Sequence, residues 1–132
     1  MTGISFHLNE RGVVDYRADD RFTVLGLWLT GDVQASLQGC LDVLADLDDV
    51  AAGRKSQEEW RGNAFHVTIS AESLALRNDY RAVLRADYPI AEVRPVIDDY
   101  WGFIAEGEDR EAALAEWEQW NDRLHPRHGD LL

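Results

Sequence analysis

The chain has 132 residues, 25 acidic against 13 basic, and a formal net charge of −12. A surface this negative repels free nucleic acid and anionic membranes and favours a cationic partner. Its 45% apolar content, spread along the whole chain, excludes a disordered class, and one cysteine, Cys40, excludes an intrachain disulfide or a cysteine-based zinc site.

The charge is unevenly placed. Residues 31–52 hold Asp32, Asp42, Asp46, Asp48 and Asp49 with no base, and residues 90–132 hold eleven acids against four bases. Residues 53–89 carry a net +1. The N-terminus has neither a basic leader nor a long apolar run, and no stretch reaches 18 apolar residues, so neither a secretory signal nor a membrane span is expected. With the lone cysteine, this points to the cytoplasm.

Ile4–Leu8 alternates as a strand, Asn9–Gly12 is a turn signal, and Val13–Arg17 resumes as a second strand. Phe22–Leu29 is apolar enough for a central, buried strand, in which Gly26 marks a bulge or a close backbone approach. Thr30-Gly31-Asp32 offers N-cap chemistry for a helix from Val33 to Ala51, ended by Gly53. Asp42, Asp46 and Asp49 share one face of that helix, away from the apolar stripe, as a solvated acidic ridge. Acids late in a helix oppose its macrodipole at a few tenths of a kcal/mol each, which suggests another reason for their presence.

Glu59–Ser70 and Ser73–Asn78 pair as a hairpin around Ala71-Glu72, with Phe65, Val67 and Ile69 inward. Arg77–Pro89 reads as either a sixth strand or a loop, extended at Tyr88-Pro89. A second helix spans about Ala91–Glu106, with Pro95 tolerated only in its first turn. A third spans about Asp109–Leu124 with Leu114, Trp117, Trp120 or Asn121, and Leu124 as a narrow apolar stripe. His125-Pro126 stops it, and RHGDLL is a tail. The expected architecture is α+β: an antiparallel sheet of five or six strands, helices on one face and a C-terminal helix. One domain covers 1–132, with its core at about 3–106 and a helical extension at about 107–125.

No nucleotide-binding, metalloprotease or nucleophile-elbow motif occurs, so no catalytic residue is expected and the chain reads as a non-enzyme. The carboxylate runs resemble solvated faces rather than an acid–base pair, and Cys40 lies on the apolar side of its helix as a small hydrophobe. His7, His66, His125 and His128 lack the spacing of a metal site and read as surface histidines; no metal or cofactor is expected. Trp28, Trp60 and Trp101 fit core packing. Trp117 and Trp120 either dock against the domain or present aromatic surface to a partner or a second copy.

Three stretches carry a likeness. Val24–Leu29 with its Gly-x-Trp, Trp60-Arg61-Gly62-Asn63-Ala64-Phe65-His66-Val67-Thr68, and Leu76-Arg77-Asn78 resemble the YacL-like family of small bacterial proteins. Similar small acidic α+β proteins act as immunity proteins of contact-dependent inhibition and other polymorphic toxin systems. The likeness covers roughly residues 3–105, and the long acidic helix after Gly107 departs from it. It implies an immunity protein that neutralises a cationic toxin domain, a nuclease, whose phosphate-binding cleft is positive. Asp42, Asp46, Asp49, Asp98 and Asp99 are then the candidate acidic contacts, and Trp117 and Trp120 the aromatic anchors. The alternative is a housekeeping or regulatory domain, monomeric or weakly homodimeric, whose acidity serves solubility.

Overall fold

The computed structural model describes residues 3–132. Ile4–Leu8 (β1) and Val14–Ala18 (β2) form an antiparallel hairpin. Asn9 shapes its turn, accepting through Oδ1 from the Arg11 and Val13 amides at 2.9 and 3.1 Å.

The apolar run that follows is helical, contrary to the expected central strand. After a 3₁₀ turn at Asp20–Phe22, Thr23–Trp28 forms a short α-helix (α1) that runs into a π-helical turn at Leu29–Val33. An unbroken apolar run lacks the alternation that separates strand from buried helix. Tertiary contacts decide it: Leu25, Trp28 and Leu29, at helical spacing, are fully buried. Gly26 is a close approach, but within a helix. A Cβ there would lie 2.4 Å from the Tyr16 ring of β2. The Tyr100 hydroxyl closes the π turn from the far side, 2.9 Å from the Leu29 carbonyl and 2.5 Å from that of Gln34.

The main helix, α2, spans Leu37–Ala51 and starts four residues later than expected. Ser36 caps it, its Oγ accepting from the Gly39 amide at 2.9 Å, so Thr30-Gly31-Asp32 is not the cap. Gly53 closes it at a φ of +78°.

Gln57–Arg61 (β3), Phe65–Ser70 (β4), Ser73–Asn78 (β5) and Arg85–Pro89 (β6) form a four-stranded antiparallel sheet in that order. The stretch after Arg77 therefore holds a sixth strand. The segment Glu59–Ser70 bends at residues 62–64 into two strands, and Asp32 is the reason. Its carboxylate accepts from the Phe65 amide at 2.9 Å and the Ala64 amide at 3.2 Å, pinning the turn from the π segment. Gly62 is needed beneath it, since a Cβ there would lie 2.3 Å from Asp32 Oδ2 and 2.6 Å from the Trp60 ring.

Ile90–Ile104 (α3) and Arg110–Asn121 (α4) complete the helices. Pro95 is the sixth residue of α3, beyond the first turn, so the helix forgoes the bond that residue 95 would donate to the Ala91 carbonyl. Asp109 caps α4, accepting from the Ala112 amide at 3.0 Å, and Asp122 ends it in a left-handed conformation. The chain closes in a 3₁₀ turn at His128–Leu131.

The fold is α+β with six antiparallel strands, but in two sheets of two and four, because the run expected to join them became α1. Phe65, Val67, Ile69, Leu74, Leu76 and Tyr88 face α1–α3 and form the core with them. The β1–β2 hairpin packs on the helices, Phe6 meeting Tyr100 edge-on at 4.7 Å, and α4 lies on α2. Trp28 and Trp60 meet edge-on at 5.6 Å, and Trp101 is also buried, as core packing requires. Among the described residues, no helix is long and apolar enough to cross a membrane.

The terminal residues are not a free tail. Leu131 is buried and its carbonyl accepts from Trp101 Nε1 at 3.2 Å. Burying such a leucine contributes about 2 kcal/mol. His125, expected at the surface, is 2% exposed.

Candidate partner-binding groove between helices 2 and 4

Of the three aspartates expected on a solvated ridge of α2, one is fully buried. Asp49 is 1% exposed, and its carboxylate accepts from Arg54 Nε at 2.8 Å and Arg123 Nη2 at 2.7 Å. Burial pushes this carboxyl up, but the hydrogen bonds from Arg123 and Arg54 outweigh it and hold it below the usual range. The ridge reading failed because α4 and the chain after it lie over that side of α2. They bring Arg123 onto Asp49 from 74 residues away.

Asp46, one turn earlier, is largely enclosed. Burial first, then the nearby carboxylates of Glu58, Asp42 and Asp49, raise it to about 7, against the pull of Lys55 Nζ at 3.7 Å. Two neighbouring aspartates are thus driven in opposite directions by the number of guanidinium donors each receives.

Asp42 is exposed, yet its Oδ1 accepts from Trp117 Nε1 at 2.8 Å. That bond explains Trp117, which is a core residue and not a surface anchor. Its ring is buried against the His125 ring at 4.5 Å, beneath the Arg123 guanidinium at 5.2 Å. His125 satisfies both ring nitrogens: Nε2 donates to the Leu41 carbonyl at 2.9 Å and Nδ1 accepts from the Arg127 amide at 3.0 Å. Burial holds this imidazole below its ordinary range, hence neutral. Glu118 ties the same corner, accepting from the His125 amide at 2.9 Å and meeting His128 Nδ1 at 2.6 Å.

Trp120 is the opposite case. It is 81% exposed, and Leu124, beyond the end of the helix, is 74% exposed. The helical stripe that buries Leu114 and Trp117 turns away from the body before reaching it. Gln38, Asp42, Glu116, Trp117, Trp120 and Asn121 line a groove of roughly 460 Å³ between α2 and α4. Gln38 Nε2 holds its floor by donating to the Ala113 carbonyl at 2.9 Å.

The structure therefore brings together Asp42, Trp117 and Trp120 of the seven expected contact residues. Asp46 and Asp49 are held inside. Asp98 and Asp99 lie on α3 outside this groove, Asp98 Oδ1 accepting from Arg127 Nη1 at 2.5 Å while Asp99 stays exposed. Sequence reasoning missed Glu116 and Gln38. Glu116 lies four residues before Trp120 on α4, a spacing that was visible in the chain. Gln38 depends on how α4 crosses α2, which no local pattern encodes.

An exposed indole beside two carboxylates is suited to grip a basic, partly apolar surface: the ring offers rigid area and a cation–π face, the acids offer charge-assisted hydrogen bonds. Compared with protein-family models, curated proteins and solved structures, the chain matches none of them.

Proposed function

We propose that this chain is a non-catalytic, cytoplasmic immunity protein that captures a basic toxin domain, a nuclease, through the α2–α4 groove. The observation that carries the reading is Trp120, standing in solvent with Asp42 and Glu116 beside it in one groove. The net charge of −12 adds long-range steering toward a positive cleft. The likeness to YacL-like and immunity proteins supports the same class.

The test is titration of the purified chain with the basic domain encoded beside it, at low and high salt. Trp120→Ala should weaken binding by about 2 kcal/mol. Asp42→Asn with Glu116→Gln should slow association and flatten its salt dependence. Asn at position 42 still accepts from Trp117, so the core stays intact. A triple variant that binds as tightly and as quickly as wild type removes the groove from the account. Self-association that Trp120→Ala abolishes, with no basic partner, would favour the homodimeric alternative.

A further inference from the structure

The open face of the four-stranded sheet carries a feature at odds with the rest of this acidic chain. In β-register, Arg61 stands opposite His66, His66 opposite Arg77, and Arg77 opposite Arg85. The neighbours of His66, Phe65 and Val67, point into the core, so this row faces away from the helices. Four cationic or imidazole side chains therefore cross all four strands in one line. At the usual spacing between strands the row is about 14 Å long.

Arg61, Arg77, Arg81 and Arg85 are exposed, and among the described residues they form no ion pair. Arg21, Arg54, Lys55, Arg94, Arg123 and Arg127 all have carboxylate partners. Arg11, Arg17 and Arg110 also form no ion pair among the described residues, but they lie on separate elements, whereas Arg61, Arg77, Arg81 and Arg85 share one sheet and its adjoining loop. Arg77 and Arg85 are also directly opposite each other, an arrangement that costs stability through like-charge repulsion. Something other than folding accounts for it.

The row is also pre-organised. His66 Nδ1 accepts from Arg77 Nη2 at 3.0 Å, and because a guanidinium only donates, His66 Nε2 is the donor to Glu59 Oε1, also at 3.0 Å. Glu59 thus orients His66, and His66 steers Arg77. Beside them lies a groove of roughly 570 Å³, floored by Thr68 and Ala75, with Arg77, Arg85 and His66 along one side and the carboxylates of Glu59 and Asp87 at its far corners. Tyr80, 79% exposed, stands on the adjoining loop, whose turn is tied by the Tyr80 and Arg81 amides to Asn78 Oδ1, both at 2.9 Å.

We propose that this face is a second binding site, for a compact polyphosphate group. Arg77 and Arg85, with Cβ atoms about 5 Å apart, converge on one phosphoryl group, whose oxygens match the guanidinium fork. Arg61, two strands from Arg77 and so about 10 Å away at the backbone, reaches back along the row to an adjacent phosphoryl group. The helices that carry most of the acids pack on the opposite face of the sheet, so the row meets solvent on a face of its own. Glu59 and Asp87, on the next cross-strand line, bound the site and leave room only for a small group over the arginine row, and the chain as a whole repels a long polyanion. The site is independent of the α2–α4 groove.

The experiment is calorimetric titration of the full chain with inorganic pyrophosphate, triphosphate and ATP at low salt, with circular dichroism as a check on folding. Saturable one-site binding is expected. It should weaken at least about tenfold in Arg77→Gln/Arg85→Gln and be unchanged in Arg17→Gln, an exposed arginine on the other sheet. ATP binding tighter than triphosphate, with the gain lost in Tyr80→Ala, assigns the source as a nucleotide; equal binding assigns an inorganic polyphosphate. No saturable binding, or equal binding by the double variant, overturns the proposal. So does an oligonucleotide whose affinity rises with its length, or an acidic peptide that binds more tightly than triphosphate.

Discussion

Asp46 and Asp49 sit one turn apart on α2, and replacing each with asparagine should move stability in opposite directions. Asp46 titrates at about 7 in the folded chain against an ordinary 3.8, a difference of about 3 units. At about 1.4 kcal/mol per unit, its ionisation costs the folded state at most about 4 kcal/mol. Between pH 4 and 7 the folded chain keeps this proton and the unfolded chain has released it, so this group's contribution falls as pH rises across that window. Asp46→Asn removes the penalty. It also loses the Lys55 contact at 3.7 Å, although Lys55 keeps Glu58 at 2.5 Å. The expected gain at pH 8 is about 2–4 kcal/mol, shrinking toward zero at pH 4.

Asp49 behaves inversely. Its carboxyl is held low, so the stability it contributes is present above the ordinary carboxylate range and lost as pH falls through its lowered value. Asp49→Asn leaves Arg54 and Arg123 without their shared anion. Removing one partner of a buried pair costs about 3–5 kcal/mol, and both arginines reach solvent, so the lower end is expected at pH 8. Urea unfolding followed by tryptophan fluorescence at pH 4, 6 and 8 measures both. An Asp46→Asn variant no more stable than wild type at pH 8, or equally shifted at pH 4 and 8, refutes the reasoning, as would a neutral Asp49→Asn.

Two further outcomes can be checked with the same unfolding assay. Gly62→Ala should cost about 1–3 kcal/mol through overpacking against Asp32 and Trp60. Combined with Asp32→Ala, which alone strands the Ala64 and Phe65 amides, the loss should be smaller than the sum, since one change relieves the clash of the other. For His125, burial holds the folded imidazole neutral, so the unfolded chain takes up a proton first and stability falls as pH drops through its ordinary value near 6.5. That trend opposes the one from Asp46 and should be read in the Asp46→Asn background, where adding His125→Gln flattens it; an unchanged slope would contradict the buried neutral ring.

Much of the fold was legible where a pattern repeats locally. The alternation of Phe65, Val67 and Ile69, the turn at Ala71-Glu72, the cap glycine at Gly53 and the burial of Leu41, Leu44 and Leu47 each rest on a few neighbouring residues. Phe22–Leu29 was not legible, because an unbroken apolar run satisfies strand and helix alike, and the ring of Tyr16 against Gly26 settled it. The groove was half legible. An acidic α2 and a tryptophan-bearing α4 were visible, but which carboxylates face solvent was not.

What the sequence determined by itself is the bulk charge, its division into acidic and near-neutral blocks, and the periodicities that become α2, β4 and α4. Those are sums over residues or short-range patterns, and they survive without knowledge of packing. Only the tertiary structure decided the role of each charge. Asp32, Asp42 and Asp49 are alike in the chain, yet one pins a turn, one holds an indole and one anchors two arginines. The same holds for the arginines, since pairing across β-strands lines up residues 61, 77 and 85 that are far apart in sequence. A carboxylate or guanidinium acts through what lies within a few ångströms of it, and for Asp32, Asp42 and Asp49 deciding neighbours come from segments dozens of residues away.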